Sequence, residues 1–419
     1  MESISDKLRS LGVQLGLENN KPSVTTHLQK SLRTIELLIN GETVVNLYGE
    51  SISCDVDYLP SYQHGWITLS RKVSLELLCQ VTRIELPQEL RMDQILFLDT
   101  ETSGLGGGTG TFAFMVGLGF FTETGFTVKQ LFMRNPSEEA SMLVELIRIA
   151  SKFAAVLTYN GKSFDIPLLN NRYVLNGINS PFKEMAHIDL LQVTRKVWSN
   201  RFASRSLGNL ENQLLGFFRS GEEVPGWMVP QIYFDYLINH DPNPLVGVFY
   251  HNKIDILSLA GLSILSCQLL NNPNAEHIHG LDKLGLAKVY QSLGRNSEAL
   301  NIYDICIRTE LPEEHQLQAV LNAAAVHKRE KNWLSAITMW ETAYQYQSLD
   351  ACIELAKYYE HFSKEFALAI DWTEKAIALL EHDKSYYFKE MKQVELQRRL
   401  NRLQKKCEKL ENINDTKSS

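Results

Sequence analysis

Cysteine is scarce: six in 419 residues, at positions 54, 79, 267, 306, 352 and 407. No two stand close enough for a Cys-x-x-Cys pair, which excludes zinc-ribbon and thioredoxin-type readings. Sparse, scattered thiols suit a reducing cytoplasm. Positive charge is also short, with 42 Lys and Arg against 49 Asp and Glu, a net charge of −7. No global basic field therefore draws the chain to nucleic acid. Long apolar runs are missing. The most apolar stretch, residues 254–270, contains Asp255, three serines and Gln268, and no membrane span is expected from it. Met1 is followed by Glu2 and Asp6 with no apolar core nearby, so no signal peptide is expected. The glycine run from Gly104 to Gly110 fits no G-x-G-x-x-G register and lacks Gly-Lys-Ser/Thr. It excludes a phosphate-loop or Rossmann reading and is expected to form a flexible hairpin. The composition, 44% hydrophobic and 22% charged, is that of a globular, multidomain protein.

Three regions separate by pattern. Residues 1–89 mix short β-like runs, at 42–48 and 65–69, with amphipathic stretches, and are expected to form a flanking segment. Residues 90–272 alternate strand-like and helix-like segments, as an α/β domain does. Strands are expected at 94–98, 112–121, 126–132, 155–159 and 187–191. Helices are expected at 138–152, with Ser137 as N-cap, and at 165–175. Three strands in succession, then helix, strand, helix and strand, suit a ribonuclease H-like sheet. Residues 278–410 read as almost wholly helical. Ala299, Ala336 and Ala369 recur at 37 and 33 residues, each followed four residues later by Tyr303, Trp340 or Thr373. Small residues where helices cross, with a period near 34, point to tetratricopeptide-like repeats. The polar linker 271–277 is the expected boundary, with each side burying its own core. The tail 411–419 is expected to be disordered.

The segment Ile95-Leu-Phe-Leu-Asp99-Thr-Glu101 carries the chemistry. Residues i and i+2 of a strand share a face, so Asp99 and Glu101 project together. Two converging carboxylates repel unless a cation joins them, and oxygen ligands favour Mg²⁺ or Mn²⁺. Sixty residues on, Asn160-Gly-Lys-Ser-Phe-Asp165 follows a strand and places Asp165 at a helix start. Further on, Tyr250-His251-Asn-Lys-Ile-Asp255 enters an apolar helix, where an acid is costly unless paired or metal-bound.

These three segments, in this order, resemble the exonuclease motifs of the DEDD superfamily of 3′→5′ exonucleases. The layout as a whole is similar to the bacterial YprB-like group of ribonuclease H-like proteins. The resemblance implies a ribonuclease H-like fold over residues 91–270 and two Mg²⁺ or Mn²⁺ ions held by Asp99, Glu101, Asp165 and Asp255. It also implies hydrolysis of single-stranded nucleic acid from a 3′ end. His251 is expected to be the base. The histidine branch usually has four residues between base and last acid, whereas this chain has three after His251 and four after Tyr250. Tyr250 therefore remains the alternative. The i, i+4 relation to Asp255 favours His251, as does an imidazole's charge change near neutral pH.

Arg195, Lys196, Arg201 and Arg205 alternate with Trp198 and Phe202. That strip, with Asn160, is the expected nucleic-acid contact, since bases track a backbone and aromatics stack on bases. Asp189 is expected to cap a helix, and His64 to be structural. The helical repeats are expected to recruit a protein partner. The alternative function is a non-catalytic nucleic-acid-binding adaptor that acts through those repeats.

Overall fold

A seven-stranded mixed sheet positions the site. The structure, a computed structural model, describes residues 34–85, 89–104, 110–221, 223–382 and 389–418. Residues 1–33 of the flanking segment and 105–109 of the glycine run lie outside the described residues. Helix α1 (Ile35–Ile39) precedes the hairpin β1 (Glu42–Asn46) and β2 (Gly49–Tyr58). A two-stranded ribbon, β3 (Gln63–His64) and β4 (Ile67–Thr68), and α2 (Glu76–Thr82) follow. The main run is β5 (Ile95–Thr102), β6 (Ala113–Phe121), β7 (Phe126–Phe132), α3 (Glu139–Ala150), β8 (Ala155–Thr158), α4 (Asp165–Leu175), β9 (Ala186–Asp189) and α5 (Leu190–Val197). Two helices close this part, α6 (Val229–Asn239) and α7 (Leu245–Asn271). The sheet order is β1-β2-β7-β6-β5-β8-β9, antiparallel up to β5 and parallel from β5 to β9.

The expected strands and helices of residues 94–191 are present to within a few residues. Two local readings are corrected. Ser137 does not cap α3. Glu138 stands at its N-cap without a side-chain bond, and Asn135 caps the short turn Pro136–Glu138 that leads into it, accepting the Ser137 N–H at 3.0 Å. The sheet also does not stop at residue 90. β2 pairs with β7 from Ile52↔Phe132 to Tyr58↔Phe126, because β7 would otherwise leave an open edge.

β5 is central, so both of its faces are covered. Ile95 and Phe97 pack into one apolar core, Leu96 and Leu98 into the other. Helices α3 and α4 cover the second face, with Leu146, Leu169 and Tyr173 buried there. Helix α7 lies across the first. It has the length and apolar character of a membrane-crossing helix, but its residues are mostly buried inside the protein.

Seven further helices follow: α8 (Gly280–Ser292), α9 (Asn296–Arg308), α10 (Glu313–Arg329), α11 (Trp333–Gln345), α12 (Leu349–Tyr358), α13 (Phe366–His382) and α14 (Lys389–Ser418). Ala299, Ala336 and Ala369 are fully buried in α9, α11 and α13. The expected independence of this region is overturned. Ile35–Ser419 is one compact unit, and a single apolar core runs from Phe97 and Leu270 through Leu284, Tyr303 and Val326. Gly285 lies against the Val197 carbonyl so closely that a Cβ would sit 2.0 Å from its oxygen. Tyr290 donates to the Leu270 carbonyl at 2.6 Å, across the expected linker. The tail is corrected too: α14 continues through Ser418, since the stretch contains no Gly or Pro to stop it.

Candidate active site

Glycines on β6 let α7 reach the carboxylates. Asp99 pairs across β5–β6 with Gly117, and Phe97 with Gly119, so all four share one face. A Cβ on Gly117 would meet the Asn252 amide at 2.2 Å, and one on Gly119 would meet Ile256 Cγ2 at 2.5 Å. The bare strand thus seats α7 at Asn252. That fully buried amide donates to Asp99 Oδ2 at 3.0 Å and accepts from Gln130 Nε2 at 3.0 Å. Asp255 stands one turn further along α7, on the side of Asp99 and Glu101.

The ligand atoms of Glu101, His251 and Asp255 lie within 4.8 Å of one another. His251 Nε2 is 3.4 Å from Asp255 Oδ2. Tyr250 faces elsewhere: its hydroxyl accepts the Ser220 N–H at 3.0 Å. Asp165 starts α4 beneath the opposite face of β5 and accepts the Thr100 hydroxyl at 2.6 Å. It remains close enough for its charge to act on Asp99 and Glu101.

The electrostatics follow from burial. Glu101 is 8% exposed, and burial, then the charges of Asp255 and Asp165, push its carboxyl up to about 8. Asp99 is raised well above the carboxylate range by burial and by Asp255, Asp165 and Glu101. Asp165 is raised by burial to about 6, with the Thr100 hydroxyl pulling the other way. Groups that hold protons this tightly are short of positive charge. Part of it comes from Arg219, which sequence reasoning missed. Its guanidinium donates to Glu211 at 2.9 Å, to Glu223 at 2.7 Å and to Asp255. It also lies 3.3 Å from His251 Nδ1. No motif spacing marks an arginine on a loop 36 residues before its partner. The donor set, four crowded carboxylates with one imidazole, of which Asp99, Glu101 and Asp165 are raised, fits a divalent cation. Asp255 would have to exchange Arg219 for it.

The carboxylates lie between two open cavities. One, of about 480 Å³, is lined by Glu211, Phe218, Arg219, Glu223, His251 and Asp255. The other, of about 380 Å³, is lined by Thr100, Thr102, Ser163, Phe164 and Asp165. Phe164 and Phe218 are 58% and 74% exposed at these two openings.

The expected nucleic-acid strip is not assembled as expected. Trp198 is fully buried and cannot stack on a base. Arg201 is bound to Asp282 at 2.7 Å, and Arg205 donates to the Phe202 carbonyl at 2.7 Å. Lys196 donates to the Val81 carbonyl at 2.9 Å, while Arg195 is exposed at the end of α5. Asn160 takes a left-handed conformation, with φ 65°, and its N–H donates to Asp189 Oδ1 at 2.8 Å. Asp189 does cap α5, accepting the Leu191 N–H at 3.1 Å. His64 is structural: it is fully buried, 2.7 Å from the Ser258 hydroxyl and stacked on Phe217.

Residues 96–265 match the family model of the RNase_H superfamily. The uncharacterized protein YprB of Bacillus subtilis (strain 168) is 30% identical over 333 residues, spanning 77% of this chain and 79% of YprB. The chain belongs to this ribonuclease H-like group. Membership points to a nuclease-type hydrolase with nucleic acid as its substrate class. It also accords with an acidic, metal-competent site at the end of the central strand.

Proposed function

We propose that the protein is a metal-dependent 3′→5′ exonuclease of the DEDD type, acting on single-stranded nucleic acid. The observation that carries this reading is the set of four acids around β5, Glu101 and Asp165 buried and Asp99 and Asp255 half-buried. Asp99, Glu101, Asp165 and Asp255 are the residues that would hold two Mg²⁺ or Mn²⁺ ions. Such ions supply Lewis acidity toward the scissile phosphate and a water of lowered pKa. The chain's own residues do the rest. Asn252 fixes the orientation of Asp99, and Thr100 that of Asp165. His251, beside Asp255, takes the proton of the attacking water. Arg219 is paired with Asp255; with Asp255 as a metal ligand, its guanidinium would be available to donate to phosphate oxygens. Exposed Phe164 and Phe218 at the two openings offer stacking faces to unpaired bases, which favours single strands over duplex.

We further infer that α8–α13, with the recurring Ala299, Ala336 and Ala369 buried in α9, α11 and α13, form tetratricopeptide-like repeats whose outer surface takes a protein partner, in a cytoplasmic protein. The test of the catalytic reading uses a 5′-labelled single-stranded oligonucleotide with Mn²⁺. A ladder shortening one nucleotide at a time supports it. Internal cuts from the first time point contradict the exonuclease assignment, and an uncut strand contradicts the enzyme.

A further inference from the structure

A third opening lies away from the acids, where α2, α5 and α8 meet. It is a cavity of about 390 Å³, and its walls carry Arg83, Arg195, Lys196, Lys288, Ser199 and Ser292. Three segments far apart in sequence bring four cations together, and no carboxylate lines the cavity among the described residues. The acid on the neighbouring turn of α2, Glu76, is already engaged by Arg295 at 3.2 Å and by Gln80 at 3.1 Å.

Lys196 is pushed below the usual lysine value by burial and then by the Arg83 charge, and Lys288 by burial. Arg83 is held there by a left-handed backbone, φ 58°, at the end of α2. Four like charges around one pocket, with no carboxylate between them, repel one another and favour an anion there. Among the lining hydroxyls, that of Ser292 already donates to the Val289 carbonyl at 2.7 Å, and Ser199 is the donor a phosphate oxygen would accept from.

We propose that this cavity binds the phosphodiester backbone of the nucleic-acid strand at a distance from the cleavage site. The claim rests on the reading of nucleic acid as substrate. Asp189 links the two places: it holds the Asn160 turn beside Asp165 and caps α5, whose last turn carries Arg195 and Lys196. α5 has eight residues, so the cavity lies about 12 Å from that turn at 1.5 Å per residue. A strand of a few nucleotides covers that distance, whereas a mononucleotide does not. The helical region supplies one wall, through Lys288 and Ser292. Its attachment to the nuclease body therefore serves binding as well as stability.

The test measures binding without hydrolysis. A fluorescein-labelled single-stranded 20-mer is titrated with full-length protein in EDTA, by anisotropy, over a range of salt. Each phosphate contact on a single strand adds about 0.7 to the slope of log affinity against log salt. The double variant Arg83→Gln, Lys288→Gln should lower that slope by about 1.4 and weaken binding several-fold at every sequence tested. The charge-keeping variant Arg83→Lys, Lys288→Arg should retain the wild-type slope. This control separates loss of charge from loss of fold, as does an unchanged melting temperature. Equal slopes in wild type and the Gln variant overturn the proposal. If inorganic pyrophosphate protects the wild type from melting and the slopes are equal, the cavity takes small phosphates and the strand assignment falls. Failure of the nuclease reading would show instead as absent hydrolysis in Mn²⁺, with this slope difference intact.

Discussion

Each acid in the site has a different neighbour, and the neighbours decide its behaviour. Glu101 and Asp99 bind protons more tightly in the folded protein than in the unfolded chain, because burial and adjacent charge disfavour their ionised forms. Linkage then sets the sign. Where the folded state binds more protons, stability falls as pH rises, until the folded-state value is passed. For Glu101 that fall runs from the usual carboxylate range to about 8. His64 and His187, pushed down to about 4 by burial, act oppositely below about 6.5. The comparison therefore belongs above pH 7. In EDTA, the wild-type melting temperature should drop between pH 7 and pH 9, and Glu101→Gln should flatten the drop. A parallel pH dependence in both proteins would show that Glu101 is not held protonated. His251 and Tyr250 separate at the same scale. His251 touches Asp255, while Tyr250 is tied to the Ser220 backbone. His251→Ala should lose about 10²–10⁴-fold in hydrolysis, the usual loss for a positioned base, and Tyr250→Phe should keep most of it. Single-turnover rates in Mn²⁺ read both, and the reverse order would make the phenol the working group.

At the scale of elements, the sequence was legible wherever the pattern was local. Asp99-x-Glu101 on an apolar strand needs only the two-residue period, and the β6–β7 turn needs only Gly125. That glycine has φ 147°, and a Cβ there would lie 1.9 Å from the Tyr58 carbonyl oxygen. The role of Gly117 and Gly119 was not legible. A glycine in a strand becomes a seat only when one knows which helix crosses it. The basic-aromatic strip misled for a related reason. α5 is a short amphipathic helix, and its buried face, with Val193, Thr194 and Val197, continues into Trp198. Alternation of bases and rings is what such a helix shows from either function. The seat can be tested. Gly119→Val would drive a side chain into Ile256 and Phe126, and overpacking of this kind costs about 1–3 kcal/mol. Since α7 carries His251 and Asp255, hydrolysis should fall together with the melting temperature. Unchanged stability would mean that α7 does not rest on β6 at this point.

Across the whole molecule, the linker at residues 271–277 is a boundary in sequence and not in packing. It looks like a linker because Asn-Asn-Pro interrupts the helix. The apolar residues that bridge it, among them Leu284, Leu286 and Ile302, look like ordinary helix cores from sequence. They pack in the same cluster as Val197, Trp198 and Leu270. A chain ending at Asn272 should therefore aggregate or lose its cooperative transition. One ending at Glu330 keeps α8–α10, whose Ala319, Ala323 and Val326 complete that core, and should stay monomeric by size exclusion. A well-folded shorter chain would show that the helices stabilise nothing in the sheet.

The central claim is that the clustered carboxylates at the end of β5 run a metal-dependent hydrolysis. Its most direct test incubates end-labelled single-stranded RNA and DNA with wild type, Asp99→Asn and Asp165→Asn, each with Mn²⁺ or with EDTA. The account predicts cleavage of at least one of the two nucleic acids by wild type with Mn²⁺. It predicts none with EDTA, and none by either variant, although both keep a wild-type far-ultraviolet spectrum. Cleavage by the variants at the wild-type rate, in protein freed of contaminating nuclease, would contradict it.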